Sequence, residues 1–223
     1  MKLPVPPDRG PVAVVVGGGG PPAVRPDQLG PLGDEPLVVA ADSGLEGARA
    51  LGLAPALVVG DMDSVGADAL AAAEADGVPV ERHPAAKDAT DLDLAIDAAL
   101  AREPRRLLVI TGAGDRFDHA LAVALSLAGP RLAEVPVEAW IGPAHLWVVR
   151  DRLTLEAPAG TLVSLLPAHG PARGVTTTGL RYPLAGEDLA PGTTRGVSNE
   201  VVAARATVEV RDGVLLAVLP APP

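Results

Sequence analysis

Wholly apolar runs recur along the first part of this chain, and each stops at a glycine or an aspartate. Val12–Val16 stops at Gly17-Gly18-Gly19-Gly20, and Leu37–Ala41 stops at Asp42-Ser43-Gly44. Residues 56–59 stop at Gly60-Asp61-Met62-Asp63-Ser64, and residues 107–110 run into Thr111-Gly112-Ala113-Gly114-Asp115-Arg116-Phe117-Asp118-His119. Short runs apolar at every position are strands buried on both faces, the condition met by a parallel sheet covered with helices. The intervening segments fit. Residues 45–51 and 67–76 are helical by spacing and propensity. Thr90 precedes an amphipathic helix with Leu92, Ala95, Ile96, Ala99 and Leu100 on one face, and Asp93 sits where a capping box needs an acceptor. An almost entirely apolar helix is predicted from the loop ending at His119 to about residue 128, and Val80–Arg82 and Val137–Ile141 read as further strands.

After residue 142 the pattern changes. No helical period returns; residues 145–149, 153–156, 162–166, 172–178, 205–210 and 214–219 read as strands separated by Pro and Gly turns. The expected fold is α/β: an N-terminal, mostly parallel sheet with helices on both faces over residues 1–142, followed by a C-terminal antiparallel β-sandwich over residues 143–223.

Composition narrows function. Aromatics are only 2% of the chain, so Ala, Val and Leu must build the core. The absence of cysteine excludes disulfides and thiolate zinc sites. A formal charge of −10 is the wrong sign for gripping a nucleic-acid backbone, so no nucleic-acid partner is expected. No apolar run approaches a membrane span or a secretory leader, and the expectation is a soluble, cytoplasmic protein.

The chemistry collects at strand ends. These deliver Asp42, then Asp61 and Asp63, then Asp88 and Asp91, then Asp115 and Asp118. In a parallel sheet the carboxyl ends of the strands face one side, where ligands gather. One aspartate after a strand commonly caps a helix, and Asp42 and Asp118 are placed to do so. A series of such ends makes a rim whose repulsion calls for a cation, and carboxylate oxygens suit Mg²⁺. Lys87 and Arg116 lie beside these acids and suit a polyphosphate. The glycines of 17–20 can approach phosphates through backbone amides. Neither a G-x-x-x-x-G-K-[ST] loop nor an intact G-x-G-x-x-G is present.

Taken together, Ala41-Asp42-Ser43-Gly44, Gly60-Asp61-Met62-Asp63-Ser64, Lys87-Asp88-Ala89-Thr90-Asp91 and residues 112–119 resemble the thiamine pyrophosphokinase family. The match continues through Thr177-Thr178-Gly179-Leu180-Arg181-Tyr182-Pro183-Leu184 and Val197-Ser198-Asn199-Glu200. The resemblance implies an α/β domain for ATP and Mg²⁺, a β-sandwich that helps bind thiamine, and a homodimer with sites between subunits. It implies transfer of the terminal diphosphate of ATP to the thiamine hydroxyl, releasing AMP. By motif, Asp42, Asp61, Asp63, Asp91 and Asp118 would surround the metal. Lys87, Asp88, Thr90 and Arg116 would handle phosphates. Tyr182 would stack on the thiazolium, Ser198 would bond the pyrimidine, and Asn199 belongs to the same thiamine-binding turn. Which acid takes the hydroxyl proton stays open, Asp91 among them. Two departures stand out: Asp115 replaces the glycine common before the loop arginine, and Leu45-Glu46-Gly47 lacks an asparagine common there.

A haloacid-dehalogenase-like phosphatase is the rival from another class, with Asp61 as nucleophile; a diphosphokinase acting on another alcohol, such as a hydroxymethylpterin, is a nearer one. A nucleotide or metal sensor is a third.

Overall fold

A computed structural model of the chain describes residues 10–220 except Lys87 and Asp115. The expected phosphate contact of Lys87 and the effect of Asp115 therefore lie outside the described residues. Packing divides the chain into two compact units, one ending at Arg116 and the other beginning at Phe117.

In the first unit the apolar runs become β1 (Val12–Val16), β2 (Leu37–Ala41), β3 (Leu57–Gly60), β4 (Val80–Arg82) and β5 (Arg106–Thr111). They pair in parallel in the order β5-β1-β2-β3-β4. The connecting helices are α1 (Gly44–Ala50), α2 (Ala67–Ala75) and α3 (Asp91–Leu100). Register aligns Ala40 with Val58 and Val58 with Val80, so these side chains share one face of the sheet. Leu45 of α1 and Ala73 of α2 complete a buried cluster on that face. Helix α3 packs along β1, β2 and β3 through Leu92, Ala95, Ile96 and Ala99 and takes the other face. Fully burying each such leucine or isoleucine contributes about 1.5–3 kcal/mol. Leu100, expected on the same stripe, is only half buried.

Two glycine loops beside this sheet are pinned backbone to backbone. The Gly18 carbonyl accepts from Gly112 N at 3.0 Å and from the Thr111 hydroxyl at 2.7 Å, and the Gly19 carbonyl accepts from Gly114 N at 3.1 Å. A Cβ on Gly112 would collide with the Gly19 carbonyl, so no other residue permits this approach.

The second unit opens with α4 (Phe117–Leu127) and β6 (Val137–Ile141). There follow β7 (Ala144–Val149), β8 (Arg152–Leu155), β9 (Leu162–Pro167), β10 (Ala172–Thr178), β11 (Ala185–Leu189), β12 (Asn199–Glu200), β13 (Ala206–Glu209) and β14 (Leu215–Leu219). Strands pair antiparallel in the orders β12-β9-β14-β7-β6 and β11-β10-β13-β8. Inward side chains of both sets, among them Trp147, Leu153, Leu165, Val175, Val208 and Leu215, form one buried cluster, which makes the sandwich. The expected architecture is thus present: a parallel sheet with helices, then antiparallel strands. Packing assigns α4 and β6 to the second unit, whereas the expected boundary at 142/143, drawn where the helical pattern ends, falls after them.

Helix α4 forms where its apolar run predicts, yet only Val123 and Leu127 are buried. Phe117, Leu121 and Leu125, four residues apart, are exposed, Phe117 by 79%.

Candidate active site

Strand β2 ends at Ala41, and Asp42 turns the chain with φ 53, a left-handed conformation that aspartate tolerates better than most residues. Its N–H donates to the Val59 carbonyl at 2.9 Å, and its own carbonyl accepts from Leu45 N at 3.1 Å, starting α1. Asp42 therefore links the ends of β2 and β3 while its side chain is 7% exposed.

After β3, Met62 is also left-handed, with φ 65. The turn lets Asp63 N donate to Asp61 Oδ1 at 3.1 Å, an Asx-type closure. Asp91 begins α3. One carboxylate oxygen from each of Asp42, Asp61 and Asp91 lies within 4.8 Å of the others. Gly60 makes room for this convergence: at φ 149, a Cβ there would stand 3.0 Å from Asp91 Oδ1 and 3.2 Å from Asp42 Cβ. Asp63, at the exposed edge, has its carboxyl pKa pushed up, first by the charge of Asp61, then by partial burial and by the charges of Asp42 and Asp91.

Several observations test whether a divalent cation fits here. The donors are all carboxylate oxygens, the set a hard cation prefers. Asp42 Oδ1 is buried without a hydrogen-bond partner, a costly condition for a carboxylate oxygen unless an ion meets it. Mutual repulsion within the cluster has the same remedy. The residues fit.

The other expected phosphate ligands are placed less centrally. Thr90 caps α3: its hydroxyl accepts from Asp93 N at 3.1 Å and donates to Asp93 Oδ2 at 2.7 Å. Asp93 is thus the capping partner that its spacing from Thr90 predicts. Asp88 is exposed in the preceding loop. Arg116 is exposed just before α4, and Asp118 is exposed in its first turn.

In the second unit, Tyr182 lies in a turn with 55% of its surface exposed. Asn199, only 2% exposed, grips that turn. Its Nδ2 donates to the Tyr182 carbonyl at 2.7 Å, and its Oδ1 accepts from Tyr182 N at 3.0 Å and from Glu200 N at 2.9 Å. Arg181 forks onto Glu200 at 2.9 and 2.7 Å, which lowers the Glu200 pKa and raises that of Arg181. Ser198 is exposed, left-handed at φ 55, with its N–H on Ser164 Oγ at 3.1 Å. Of the five left-handed non-glycine residues among those described, Asp42, Met62 and Ser198 fall inside motif segments, and Glu103 and His169 lie outside them.

Sequence reasoning assigned no role to Ser64 or Glu46. The Ser64 hydroxyl donates to Asp42 Oδ2, and Glu46 Oε1 accepts from Gly66 N at 2.7 Å. The only signal available was a serine directly following Asp-x-Asp.

A parallel sheet with an acidic, cation-fitting rim, followed in the chain by a β-sandwich that displays an aromatic turn, defines a two-unit α/β protein with a candidate divalent-cation site. The profile described as thiamin pyrophosphokinase, catalytic domain, matches residues 32–138, and that of the thiamin pyrophosphokinase vitamin B1 binding domain matches residues 152–215. The chain is 27% identical over 200 residues to the thiamine pyrophosphokinase of Bacillus subtilis (strain 168), covering 89% of this chain and 94% of the relative. The crystal structure of the B. subtilis enzyme is similar with a TM-score of 0.80 at 25% identity, over 95% of this chain and 100% of that one. That of the Geobacillus thermodenitrificans enzyme gives 0.74 at 28% identity, over 93% and 96%. The chain belongs to the thiamine pyrophosphokinase family, and its reaction class is diphosphotransfer. The phosphatase alternative is not favoured: the matches span both parts of the chain, including the sandwich that a phosphatase reading leaves unexplained.

Proposed function

We propose that Mg²⁺-bound ATP docks at the acidic rim and that the thiamine hydroxyl oxygen attacks the β-phosphorus of ATP. The new oxygen–phosphorus bond replaces the bond to the α-bridging oxygen, so AMP leaves and thiamine diphosphate forms. The convergence of Asp42, Asp61 and Asp91, with a buried Asp42 oxygen lacking a donor, carries this reading. Bound there, Mg²⁺ would neutralise charge developing on the transferred group. Asp42, Asp61 and Asp91 would hold it, with Asp63 and Asp118 as the further candidates. Arg116 and Lys87 would stabilise phosphate charge, and Asp88 and Thr90 would shape the loop that meets it. An aspartate of the rim would take the hydroxyl proton, Asp91 being one candidate. Tyr182 would offer its ring to the thiazolium cation, and Ser198 would bond the pyrimidine. Asn199 would act through Tyr182, because its amide is already committed to that residue's backbone.

Residues 1–142 would serve ATP and cation, and 143–223 thiamine, a division supported by the ranges of the two profile matches. A homodimer is the proposed working unit; the exposed row Phe117, Leu121 and Leu125 supports it, and sedimentation tests it. A cytoplasmic location is supported by the cysteine-free composition and by the use of ATP. No helix among the described residues is long and apolar enough to cross a membrane.

Incubation with ATP, Mg²⁺ and thiamine tests the reaction, the expected products being AMP and thiamine diphosphate. Formation of AMP only with a hydroxymethylpterin would move the substrate. ATP-independent hydrolysis of phosphate esters would overturn the proposal.

A further inference from the structure

We infer that Ser64 is a positioning residue for the cation: its hydroxyl holds one oxygen of Asp42 so that the other is presented to the metal. The inference rests on the proposed role of Asp42 as a ligand and concerns a residue that touches neither cation nor substrate.

Asp42 is set by its surroundings at both backbone and side chain. Its left-handed backbone is tied to Val59 and Leu45, which fixes where Cβ points. Rotation about the remaining side-chain bonds would still let the carboxylate swing. The Ser64 hydroxyl donates to Oδ2, while Oδ1 is buried and has no hydrogen-bond partner. One oxygen is anchored and its twin is left for an ion. A neutral hydroxyl suits this task better than an arginine or lysine would. It removes no charge from the carboxylate, so the attraction available to a cation is kept.

A second hydrogen bond makes the effect of Ser64 separable from loop closure. Loop 61–66 is also clasped to α1 by Glu46 Oε1, which accepts from Gly66 N at 2.7 Å. Removing the Ser64 hydroxyl leaves this clasp, and removing the Glu46 carboxylate leaves the Ser64–Asp42 bond. Only the first should free the Asp42 carboxylate.

The test is Mn²⁺ affinity, read by electron paramagnetic resonance of free Mn²⁺ on the full chain without nucleotide, together with thermal unfolding of the metal-free protein. Ser64→Ala is expected to weaken Mn²⁺ binding by about tenfold, the lower end for loss of an outer-shell partner. Ser64→Thr, which keeps the hydroxyl, should restore affinity to near wild type, and Glu46→Ala should bind Mn²⁺ like wild type. Asp42→Asn serves as the control for the underlying reading and should bind more weakly than any of them. Wild-type affinity in Ser64→Ala, with a weakened Asp42→Asn, overturns the inference alone. Unchanged affinity in Asp42→Asn overturns it together with the ligand role of Asp42. An equal loss in Glu46→Ala and Ser64→Ala, or no recovery in Ser64→Thr, also overturns it, since loop closure would then be what the metal requires.

Discussion

Asn199 Nδ2 donates to the Tyr182 carbonyl at 2.7 Å while Asn199 Oδ1 accepts from the Tyr182 N–H at 3.0 Å, so one buried amide satisfies both backbone groups of the residue that displays the exposed ring. A side chain that pairs reciprocally with a backbone acts like a short piece of strand. Here it does so across a gap of 17 residues.

Asn199→Ala should therefore act on thiamine through Tyr182. It strands the Tyr182 and Glu200 amides and is expected to cost about 1–3 kcal/mol of stability. Under thiamine pyrophosphokinase assay the KM for thiamine should rise about tenfold with the KM for ATP little changed. Tyr182→Ala should give the same pattern with a smaller loss of stability. Equal losses for both substrates would remove the stacking role.

Asp61→Asn and Asp63→Asn should each lower turnover by about 100-fold or more, the scale of removing one electrostatic group from a charged transition state. Circular dichroism should show the fold intact, since neither carboxylate holds the sheet together. Wild-type rates in both variants would dismiss the acidic rim as the reaction centre.

Gly60→Ala should disable the rim without touching a carboxylate. Its methyl group would press on Asp91 Oδ1, 3.0 Å away, and would force φ 149 on an alanine. Strain of about 1–3 kcal/mol is expected in the unfolding free energy, with Mn²⁺ affinity falling together with it. An alanine variant that binds Mn²⁺ normally would show that the convergence tolerates more room than the geometry allows.

His145 supplies a pH dependence unrelated to the rim. It stacks on Trp140 at 3.9 Å and against Trp147 at 3.8 Å, with Nε2 2.7 Å from Glu138 Oε1. Burial pushes its pKa down, partly offset by Glu138. The unfolded chain then binds the proton more readily than the folded one. The stabilising contribution is complete above about pH 6.5, the ordinary histidine value, and is lost as pH falls from there through the lowered folded value. Melting temperature should drop across that window, and His145→Gln should flatten the drop. The chain's two tryptophans both flank this residue, so intrinsic fluorescence should follow the same titration. A wild-type melting profile independent of pH there would refute the account.

The parallel core was legible because its strands are short, wholly apolar and sharply punctuated. Val12–Val16, Leu37–Ala41 and Val80–Arg82 form at the residues expected, and Thr90 caps α3 through Asp93 as its spacing required. Strand β11 was not legible. Ala-Gly-Glu-Asp-Leu buries one side chain, Leu189, and extends only because β10 is there to pair with it. The exposed face of α4 was equally hidden, since an apolar helix looks the same in sequence whether or not its outer row finds a neighbour.

At the site the division is similar. A strand end followed by Asp is a local pattern, and sequence alone determined that Asp42, Asp61 and Asp91 stand near the sheet's rim. It could not determine that these three converge within 4.8 Å, because that follows from the pairing of β2 with β3, from the packing of α3 against both and from the missing side chain at Gly60. Nor could it separate residues that offer atoms to ligands from residues that hold others in place. Asn199 looks like a polar ligand in a motif, yet its amide is spent on the backbone of the Tyr182 turn. Hydrogen-bond partners are chosen across space, after the chain has packed, and only the tertiary structure assigns them.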